Sequence, residues 1–512
     1  MNLCCNIMTG VIISCFVMFS PVYGSITCGL GQASVSNTVE STPSPAGNNP
    51  TFVTERKSNV YTGAAEAFDI WAPRQHNPEF AEPGEKISVE LKGTANLIND
   101  EWTVKLKNDL RSWQGEEVSA SWGKVHHGTE NGWQVTVTLP SDIPPELMKL
   151  VVRHGSGLEA VSRRSVYIVP DFEEDFYIFH QSDQHITENY AVEPGGKAST
   201  TWGNGSKEAL MWITSAVNLA NPRFVLHTGD NMQIFFSADH WCGYEEAILR
   251  VNRFFDGMSG YSVPTVVTTG NHDIGYSNYL NYDKWRKQYT RQMGQRAFSF
   301  RMGSFYVLNS EWTTTDFLDW AKSDYAASYK DPDIAYRLIA SHYYDGLDGW
   351  TTVAGEEDPA NLMLVGHNHR TRTIQTKPYR VLSVETALNH QKAAFHEFKR
   401  TKNGWLAPWV EKHADGKNVH ALVGDWGKPK LYEEYTHTND GTIRSNTVKI
   451  TNELPHDFYN GRVRFLMAGG RYRTDGGEIL AQYDFDNGSK TAVLVRVNIR
   501  KNDVTRVEID IE

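Results

Sequence analysis

The sequence predicts an α/β protein in which a central domain of alternating strands and helices lies between two β-rich domains. Its 512 residues are too many for one ordinary core, so two or three domains are expected. Hydrophobic residues make up 40% of the chain and charged residues 22%, which is typical of a globular protein with a sizeable core. The periodicity of the apolar residues changes near residues 170 and 392, which places the predicted domain boundaries there.

The first 50 residues predict export. Residues 7–19 are apolar but too few to span a bilayer as a helix, and small residues follow, so 1–24 is typical of a signal peptide. Residues 25–50 are rich in Ser, Thr, Asn, Gly and Pro and predict a flexible linker. We therefore expect a periplasmic, cell-surface or secreted protein without a transmembrane span in its mature chain. Cys28 is a candidate for a lipid anchor, and an inert tail cysteine is the alternative.

Short alternating segments predict the two flanking domains. In residues 51–170, the segments 86–91 and 133–139 alternate apolar and polar side chains, and Gly, Asn and Pro separate such runs. This pattern predicts an N-terminal β-sandwich. Residues 393–512 contain similar segments at 491–498 and 504–511, which predict a C-terminal β-rich domain.

Residues 171–392 alternate between the two periodicities. Apolar runs at 176–179, 223–227, 264–268, 336–340 and 362–365 predict buried strands. Helical spacing at 206–219, 241–255 and 315–325 predicts helices between them. Strands that alternate with helices indicate a layered α/β domain.

Five polar clusters follow strands of this central domain. They are Asp183-Gln184-His185, Gly229-Asp230-Asn231, Gly270-Asn271-His272-Asp273, Ser341-His342 and Gly366-His367-Asn368-His369. Loops at the carboxyl ends of strands converge in open α/β sheets, so the clusters can meet in space. Their mixture of carboxylate and imidazole ligands suits Mn, Zn or Fe. Two such ions about 3.5–4 Å apart can activate a water and bind a phosphoryl oxygen.

Three residues beside the expected ligands are candidates for catalysis. His272 can protonate a leaving oxygen or stabilise charge on a phosphate group. Asp273 can hold the imidazole of His272 in orientation. Asn231 is a candidate for contact with phosphate.

In this order the five clusters resemble the calcineurin-like metallophosphoesterase superfamily, whose pattern is D-x-H, G-D, G-N-H-(E/D), a lone H and G-H-x-H. The resemblance implies that the central domain is a two-sheet α/β sandwich with helices outside. It implies one metal ion bound by Asp183, His185, Asp230 and His369. It implies a second ion bound by Asp230, Asn271, His342 and His367, with His272 as the catalytic histidine.

One position departs from a related pattern. Purple acid phosphatases resemble this architecture but carry a ligand tyrosine three residues after the second aspartate, where this chain has Gln233. We therefore expect no tyrosine–iron charge-transfer colour.

The resemblance implies hydrolysis of a small phosphomonoester or phosphodiester. A phosphodiesterase or nuclease acting on nucleotides is a second hypothesis, and a non-catalytic surface binding module is a third. The formal net charge of -11 argues against a nucleic acid polymer as partner, because proteins that bind nucleic acids are usually basic. An assay on monoesters and diesters separates the first two hypotheses, and metal analysis tests the third.

Overall fold

The computed structural model describes most of the chain from residue 68 onward. The described residues are 68–99, 101–187, 205, 207–237, 240–276, 281–310, 317–344, 353–355, 357–375, 379–387, 391–407, 419–424 and 427–512. All of these described residues belong to one compact unit. The predicted signal peptide, the linker and Cys28 lie outside the described residues, so export and lipid attachment stay predictions. No helix within the described residues is long and apolar enough to cross a membrane.

Nine strands form two sheets in the N-terminal part of the unit. They are β1 (Asp69–Ala72), β2 (Glu79–Ala81), β3 (Lys86–Lys92), β4 (Trp102–Lys107), β5 (Ser112–Gln114), β6 (Glu116–Val125), β7 (Glu130–Thr138), β8 (Leu147–His154) and β9 (Glu159–Ile168). The sheet orders are β1-β3-β7-β6 and β2-β9-β8-β4-β5. Val89, Val104 and Val135 are fully buried in one core because alternate strand residues point to the same face.

Fourteen strands are described in the central part. They are β10 (Phe176–Gln181), β11 (Phe224–Thr228), β12 (Phe235–Ser237), β13 (His240–Trp241), β14 (Thr265–Thr268), β15 (Phe298–Met302), β16 (Phe305–Asn309), β17 (Tyr336–Ala340), β18 (Leu362–Val365), β19 (Arg372–Gln375), β20 (Arg380–Ser383), β21 (Lys392–Thr401), β22 (Gly404–Leu406) and β23 (Val419–Ala421). One sheet has the order β14-β11-β10-β21-β22, with β23 beside β21, and the other β15-β16-β17-β18-β20-β19. Strands β10, β11 and β14 are parallel to one another, as are β16, β17, β18 and β20.

Six helices are described in the same part. They are α1 (Lys207–Trp212), α2 (Thr214–Ala220), α3 (Tyr244–Gly257), α4 (Asn271–Ile274), α5 (Tyr282–Met293) and α6 (Leu318–Lys330). The helix predicted over 206–219 is broken at Ile213, whose ψ of 1° leaves the helical range. The helix predicted from residue 241 begins only at Tyr244, because Trp241 pairs with Phe235 in a short hairpin.

Apolar side chains fill the space between the two central sheets. Ile178 and Leu226 of the first sheet share one buried cluster with Val307, Leu338 and Leu364 of the second. The outer face of the second sheet packs against α6, and the outer face of the first packs against α2 and α3. The predicted two-sheet α/β sandwich is therefore confirmed, and so are the β-rich regions on either side.

The last part of the chain forms two further sheets. Their strands are β24 (Leu431–Tyr435), β25 (Ser445–Asn452), β26 (Phe458–Ala468), β27 (Tyr472–Asp475), β28 (Glu478–Phe485), β29 (Lys490–Ile499) and β30 (Asp503–Ile511), in the orders β24-β25-β30-β27 and β26-β29-β28. Strand β21 pairs with β10 in the central sheet, although the predicted boundary assigns residues from 393 to the C-terminal domain. An alternating segment does not specify which sheet it joins, so the pattern alone could not place β21.

Candidate metal centre

The five polar clusters begin where parallel strands end. Asp183 follows β10, Asp230 follows β11 and Asn271 follows β14. His342 and Gly366 follow β17 and β18 of the second sheet. Parallel strands carry the clusters of each sheet to the same edge, and the distances below show that the two edges meet.

The backbone at this edge is unusual. A positive φ occurs at five of the seven predicted ligands, namely Asp183 (56°), His185 (49°), Asp230 (51°), His367 (66°) and His369 (51°). Non-glycine residues adopt this left-handed region in only a few per cent of cases. Each costs on the order of 1–3 kcal/mol and is found preferentially at functional sites. The fold therefore holds these side chains in orientations that a relaxed loop would not favour.

Two glycines allow the loops to approach closely. Gly229 has a φ of 90°, and a Cβ there would lie 2.5 Å from the ring of His342. A Cβ at Gly270 would lie 2.2 Å from the backbone nitrogen of Asp230. Any larger residue at either position would displace a predicted ligand.

One group of ligand atoms joins the first and last clusters. The Nε2 atom of His369 lies 3.1 Å from Oδ1 of Asp183. The Nε2 atom of His185 lies 3.9 Å from the same oxygen and 3.5 Å from Nε2 of His369. These three residues could hold a metal ion, since one ligand atom from each lies within 4.8 Å of the others.

A second group gathers around Asp230. Its Oδ2 atom lies 3.1 Å from Nε2 of His342, whose ring lies 3.2 Å from Nδ1 of His367. The same Nδ1 atom lies 3.1 Å from Oδ1 of Asn271. Asp230, His342 and His367 form a second set of ligand atoms within 4.8 Å of one another.

Asp230 connects the two groups. Its Oδ2 atom lies 4.0 Å from Nε2 of His185, which belongs to the first group. A third set, formed by His185, Asp230 and His272, also has ligand atoms within 4.8 Å of one another, so the ring of His272 lies at the same centre. The structure thus brings all seven predicted ligands together at one edge of the two sheets.

The donor atoms fit bound cations. Oδ1 of Asp183 and Oδ2 of Asp230 are buried and accept no hydrogen bond within the described residues. The Nδ1 atom of His342 lies 2.6 Å from the carbonyl of Thr228, so it donates there and leaves Nε2 for a ligand. Carboxylate oxygens and imidazole nitrogens in this mixture suit Mn, Zn or Fe.

The charges of these side chains depend on one another. Burial disfavours the ionised carboxylate of Asp230, but the charge of His342 outweighs it and places the pKa of Asp230 well below its usual value. Burial also lowers the pKa of His342, but Asp230 outweighs that effect and raises this pKa to about 9. The buried side chains of Asp230 and His342 therefore stabilise each other's charge at the place where a bound cation would lie.

His272 lies beside this cluster with its ring partly exposed. Its backbone nitrogen donates to Oδ1 of Asp230 over 2.8 Å, and its Nε2 lies 4.0 Å from Oδ2 of the same residue. Its Nδ1 atom lies 2.5 Å from the carbonyl of Phe235. The contact of Nδ1 with the carbonyl of Phe235 therefore orients the ring, and Nε2 is the ring nitrogen that faces Asp230.

Gln233 links His272 to the predicted ligand His185. Its Oε1 atom lies 2.7 Å from Nδ1 of His185, so this ring donates to the amide and keeps Nε2 for a ligand. Its Nε2 atom donates to the carbonyl of Phe235 over 2.9 Å and lies 2.6 Å from Nδ1 of His272. Sequence reasoning noted Gln233 only as the residue in place of a tyrosine. Its position three residues after Asp230 was the signal that could have identified it.

The structure changes the expected roles of Asp273 and Asn231. The carboxylate of Asp273 accepts hydrogen bonds from the backbone nitrogens of Met232 and Gly270 over 2.7 and 2.8 Å, instead of orienting His272. The amide nitrogen of Asn231 donates to Oδ2 of Asp273 over 3.0 Å and to a backbone carbonyl over 2.8 Å. No N–H of the Asn231 side chain remains for a phosphate oxygen in this arrangement. Both residues hold the second and third clusters together.

Comparison with known proteins gives a match in the central part of the chain. A family model described as calcineurin-like phosphoesterase matches residues 176–371. No curated protein matches the sequence. Among solved structures, the chain is similar to a dimetal phosphatase from Danio rerio at 12% identity, with 45% of this chain and 98% of that chain covered and a TM-score of 0.33. It is also similar to a putative 5'-nucleotidase from Staphylococcus aureus at 13% identity, with 46% and 52% covered and a TM-score of 0.29.

Proposed function

We propose that the chain hydrolyses small phosphoesters at a dinuclear metal centre. The premise is that residues 176–371 belong to the calcineurin-like phosphoesterase family, which makes the chain a metal-dependent phosphoric ester hydrolase. The proposed ligands of the two ions are Asp183, His185, Asp230, Asn271, His342, His367 and His369. The proposed substrate is a small phosphomonoester or phosphodiester rather than a nucleic acid polymer.

One observation carries the dinuclear proposal. Of the three sets of ligand atoms, two consist only of proposed ligands, and the carboxylate of Asp230 belongs to one of these and lies 4.0 Å from His185 of the other. A single ion needs about four protein ligands, whereas this cluster offers seven. Asp230 would be shared by both ions, because its Oδ2 lies near histidines of both sets and accepts no hydrogen bond within the described residues.

The surrounding side chains define how the site would work. When bound, two metal ions supply an activated water and neutralise charge on the phosphoryl group. His185 and His342 present Nε2 because Gln233 and the carbonyl of Thr228 accept their Nδ1 protons. His272 carries the catalytic role, since its Nε2 is on the side of Asp230 and can give a proton to the leaving oxygen.

The proposal extends to metals and location. Mn, Zn or Fe is proposed for the centre, because both proposed sites combine imidazole with carboxylate. Gln233 makes no tyrosinate ligand available at its position, so an iron-loaded form would lack the charge-transfer colour that such a ligand gives. The apolar run and linker at the start of the sequence support export.

Purified protein tests the function directly. A panel of aryl phosphates, phosphomonoesters and phosphodiesters should reveal turnover that a chelator abolishes and that Mn, Zn or Fe restores. Asp230→Ala should abolish turnover while circular dichroism stays unchanged, because both proposed ions lose a ligand. Equal turnover in chelated and metal-loaded protein would refute the proposal. The ratio of monoester to diester turnover decides between a phosphatase and a nucleotide-directed phosphodiesterase.

A further inference from the structure

A basic cavity lies where the N-terminal, central and C-terminal sheets meet. Its volume is about 70 Å³, several times the ~10–15 Å³ that one buried water requires. Its basic lining residues are Lys107, Lys149, Arg163, Arg164, Arg462 and Arg464. The lining residue Ser262 precedes β14 and Asn271 follows it, so the cavity and the metal centre lie at opposite ends of this strand.

The acidic residues of the lining do not neutralise this charge. Only Asp109 and Glu146 among the lining residues are acidic. Arg464 binds Asp109 with two amino groups, over 2.8 and 3.2 Å, and its Nε lies 3.6 Å from Glu146. Glu146 also accepts hydrogen bonds from Tyr483 and Asn108. Arg464 thus engages both acidic residues, and an excess of positive charge remains.

Two basic side chains of the cavity lack partners. Within the described part of the chain, the side chains of Lys107 and Arg164 make no hydrogen bond and no ion pair, although the charges of Tyr261 and Asp109 act on Arg164 and Lys107 is only half-buried. The Nη2 atom of Arg164 is buried, and so is the equally unpartnered Oγ of Ser262, a residue that is 4% exposed. Burial lowers the pKa of Arg164 to about 10, so its guanidinium still carries a full charge at neutral pH. Buried donors without acceptors are rare and require an explanation.

Two backbone features shape the walls of this cavity. Strand β9 has a bulge opposite β8. Ser162 pairs with Leu150 and Val166 pairs with Met148, so three residues of β9, including Arg163 and Arg164, lie opposite one residue of β8. Bulges of this kind redirect side chains. Arg462 fixes the opposite wall by donating to the carbonyls of Pro145 and Ser262, each over 2.8 Å.

We propose that this cavity binds one tetrahedral oxyanion, such as inorganic phosphate or sulfate, with Arg164, Lys107 and Ser262 as its principal donors. An oxyanion offers several acceptors to the buried Nη2 of Arg164, which has none among the described residues, and to the half-buried ammonium of Lys107. Charge-assisted hydrogen bonds of this type are strong. Carboxylates as alternative partners are already engaged by Arg464. The site is separate from the metal centre and does not depend on the proposed hydrolysis.

Calorimetric titration of the metal-loaded full chain with inorganic phosphate tests the proposal, with ionic strength held constant by sodium chloride. The wild-type protein should bind one phosphate more per chain than Arg164→Gln, whose affinity at the cavity should fall at least about tenfold. Competitive inhibition of turnover by phosphate should stay unchanged in this variant, because the metal centre is intact. Arg153→Gln is the matched control, since Arg153 is exposed on β8 and pairs with Glu159 outside the cavity.

The remaining outcomes also decide the question. Identical phosphate stoichiometry and affinity in wild type and Arg164→Gln would overturn the proposal, and so would a wild-type protein whose only phosphate site is the one that inhibits turnover. If Arg164→Gln does not fold, Lys107→Gln replaces it and should weaken cavity binding severalfold. Unchanged binding in Lys107→Gln would then overturn the proposal. Sulfate should compete with phosphate at the cavity, whereas the larger pyrophosphate should not enter it.

Discussion

Replacing Gln233 by leucine tests how the candidate centre is held in place. The change removes the acceptor 2.7 Å from Nδ1 of His185 and the donor to the carbonyl of Phe235. His185 is fully buried, so its Nδ1–H would lose the acceptor that Gln233 provides. A buried donor without a partner costs about 1–3 kcal/mol, which corresponds to roughly 5–150-fold in affinity. Loss of such an orienting partner typically weakens metal binding by about 10–100-fold, which agrees with this range.

The assay is calorimetric titration of chelated protein with Mn²⁺, together with turnover of an aryl phosphate. Gln233→Leu should raise the dissociation constant about 10–100-fold. Gln233→Glu keeps an acceptor for His185 but loses the donor to the carbonyl of Phe235, so its Mn²⁺ affinity should fall less than that of Gln233→Leu. Gln114→Leu is the control, because the side-chain amide of Gln114 donates to the carbonyl of Val104 within the N-terminal sheets. A dissociation constant for Gln233→Leu within about twofold of wild type would refute this reasoning.

Three further predictions concern the loops and the core. Gly270→Ala should destabilise the protein by about 1–3 kcal/mol and reduce metal binding, because the new Cβ would lie 2.2 Å from the backbone nitrogen of Asp230. Unchanged denaturant unfolding and unchanged metal content would contradict this prediction. Asp273→Ala should lower stability by about 1–3 kcal/mol, since it leaves the buried backbone nitrogens of Met232 and Gly270 unpaired, and a purely kinetic defect without loss of stability would count against the loop-joining role. Burial lowers the pKa of His76 to about 3 in the folded protein. Above pH 6.5 the imidazole is therefore neutral in the folded and the unfolded protein. As the pH falls below 6.5, only the unfolded chain takes up the proton, so the folded state loses stability. His76→Gln should therefore flatten the decline in the free energy of unfolding between pH 6.5 and 4 by up to about 1.4 kcal/mol per pH unit, and an unchanged slope would show that His76 is not responsible.

The parts of the fold that depend on local periodicity could be predicted from the sequence. Strand β3 alternates buried and exposed residues as its apolar pattern requires, and β11 and β14 are the buried apolar runs expected of parallel strands. The membership of β21 in the central sheet could not be predicted, because strand pairing depends on distant partners. The short hairpin at Trp241 was missed for the same reason, since its pairing with Phe235 outweighs the helical spacing.

The candidate site shows a similar division. The seven predicted ligands were identifiable because the order of five short motifs is specific, and the structure brings them together at one edge. The connections behind them were not identifiable from motifs. Asp273 is next to His272 in sequence but hydrogen-bonds Met232 and Gly270, whereas Gln233 is distant in sequence and contacts the ring. Adjacency along the chain does not specify the direction of a side chain when the backbone enters a four-residue helix such as α4.

Counting bound metal ions tests the central proposal most directly. Chelated full-length protein, reloaded with Mn²⁺ or Zn²⁺ and freed of excess metal, should contain two ions per chain by mass spectrometry of the metals. Asp183→Ala should retain one of them, because Asp183 is absent from the set formed by Asp230, His342 and His367. A wild-type chain that binds no more than one ion at saturation would contradict the dinuclear centre.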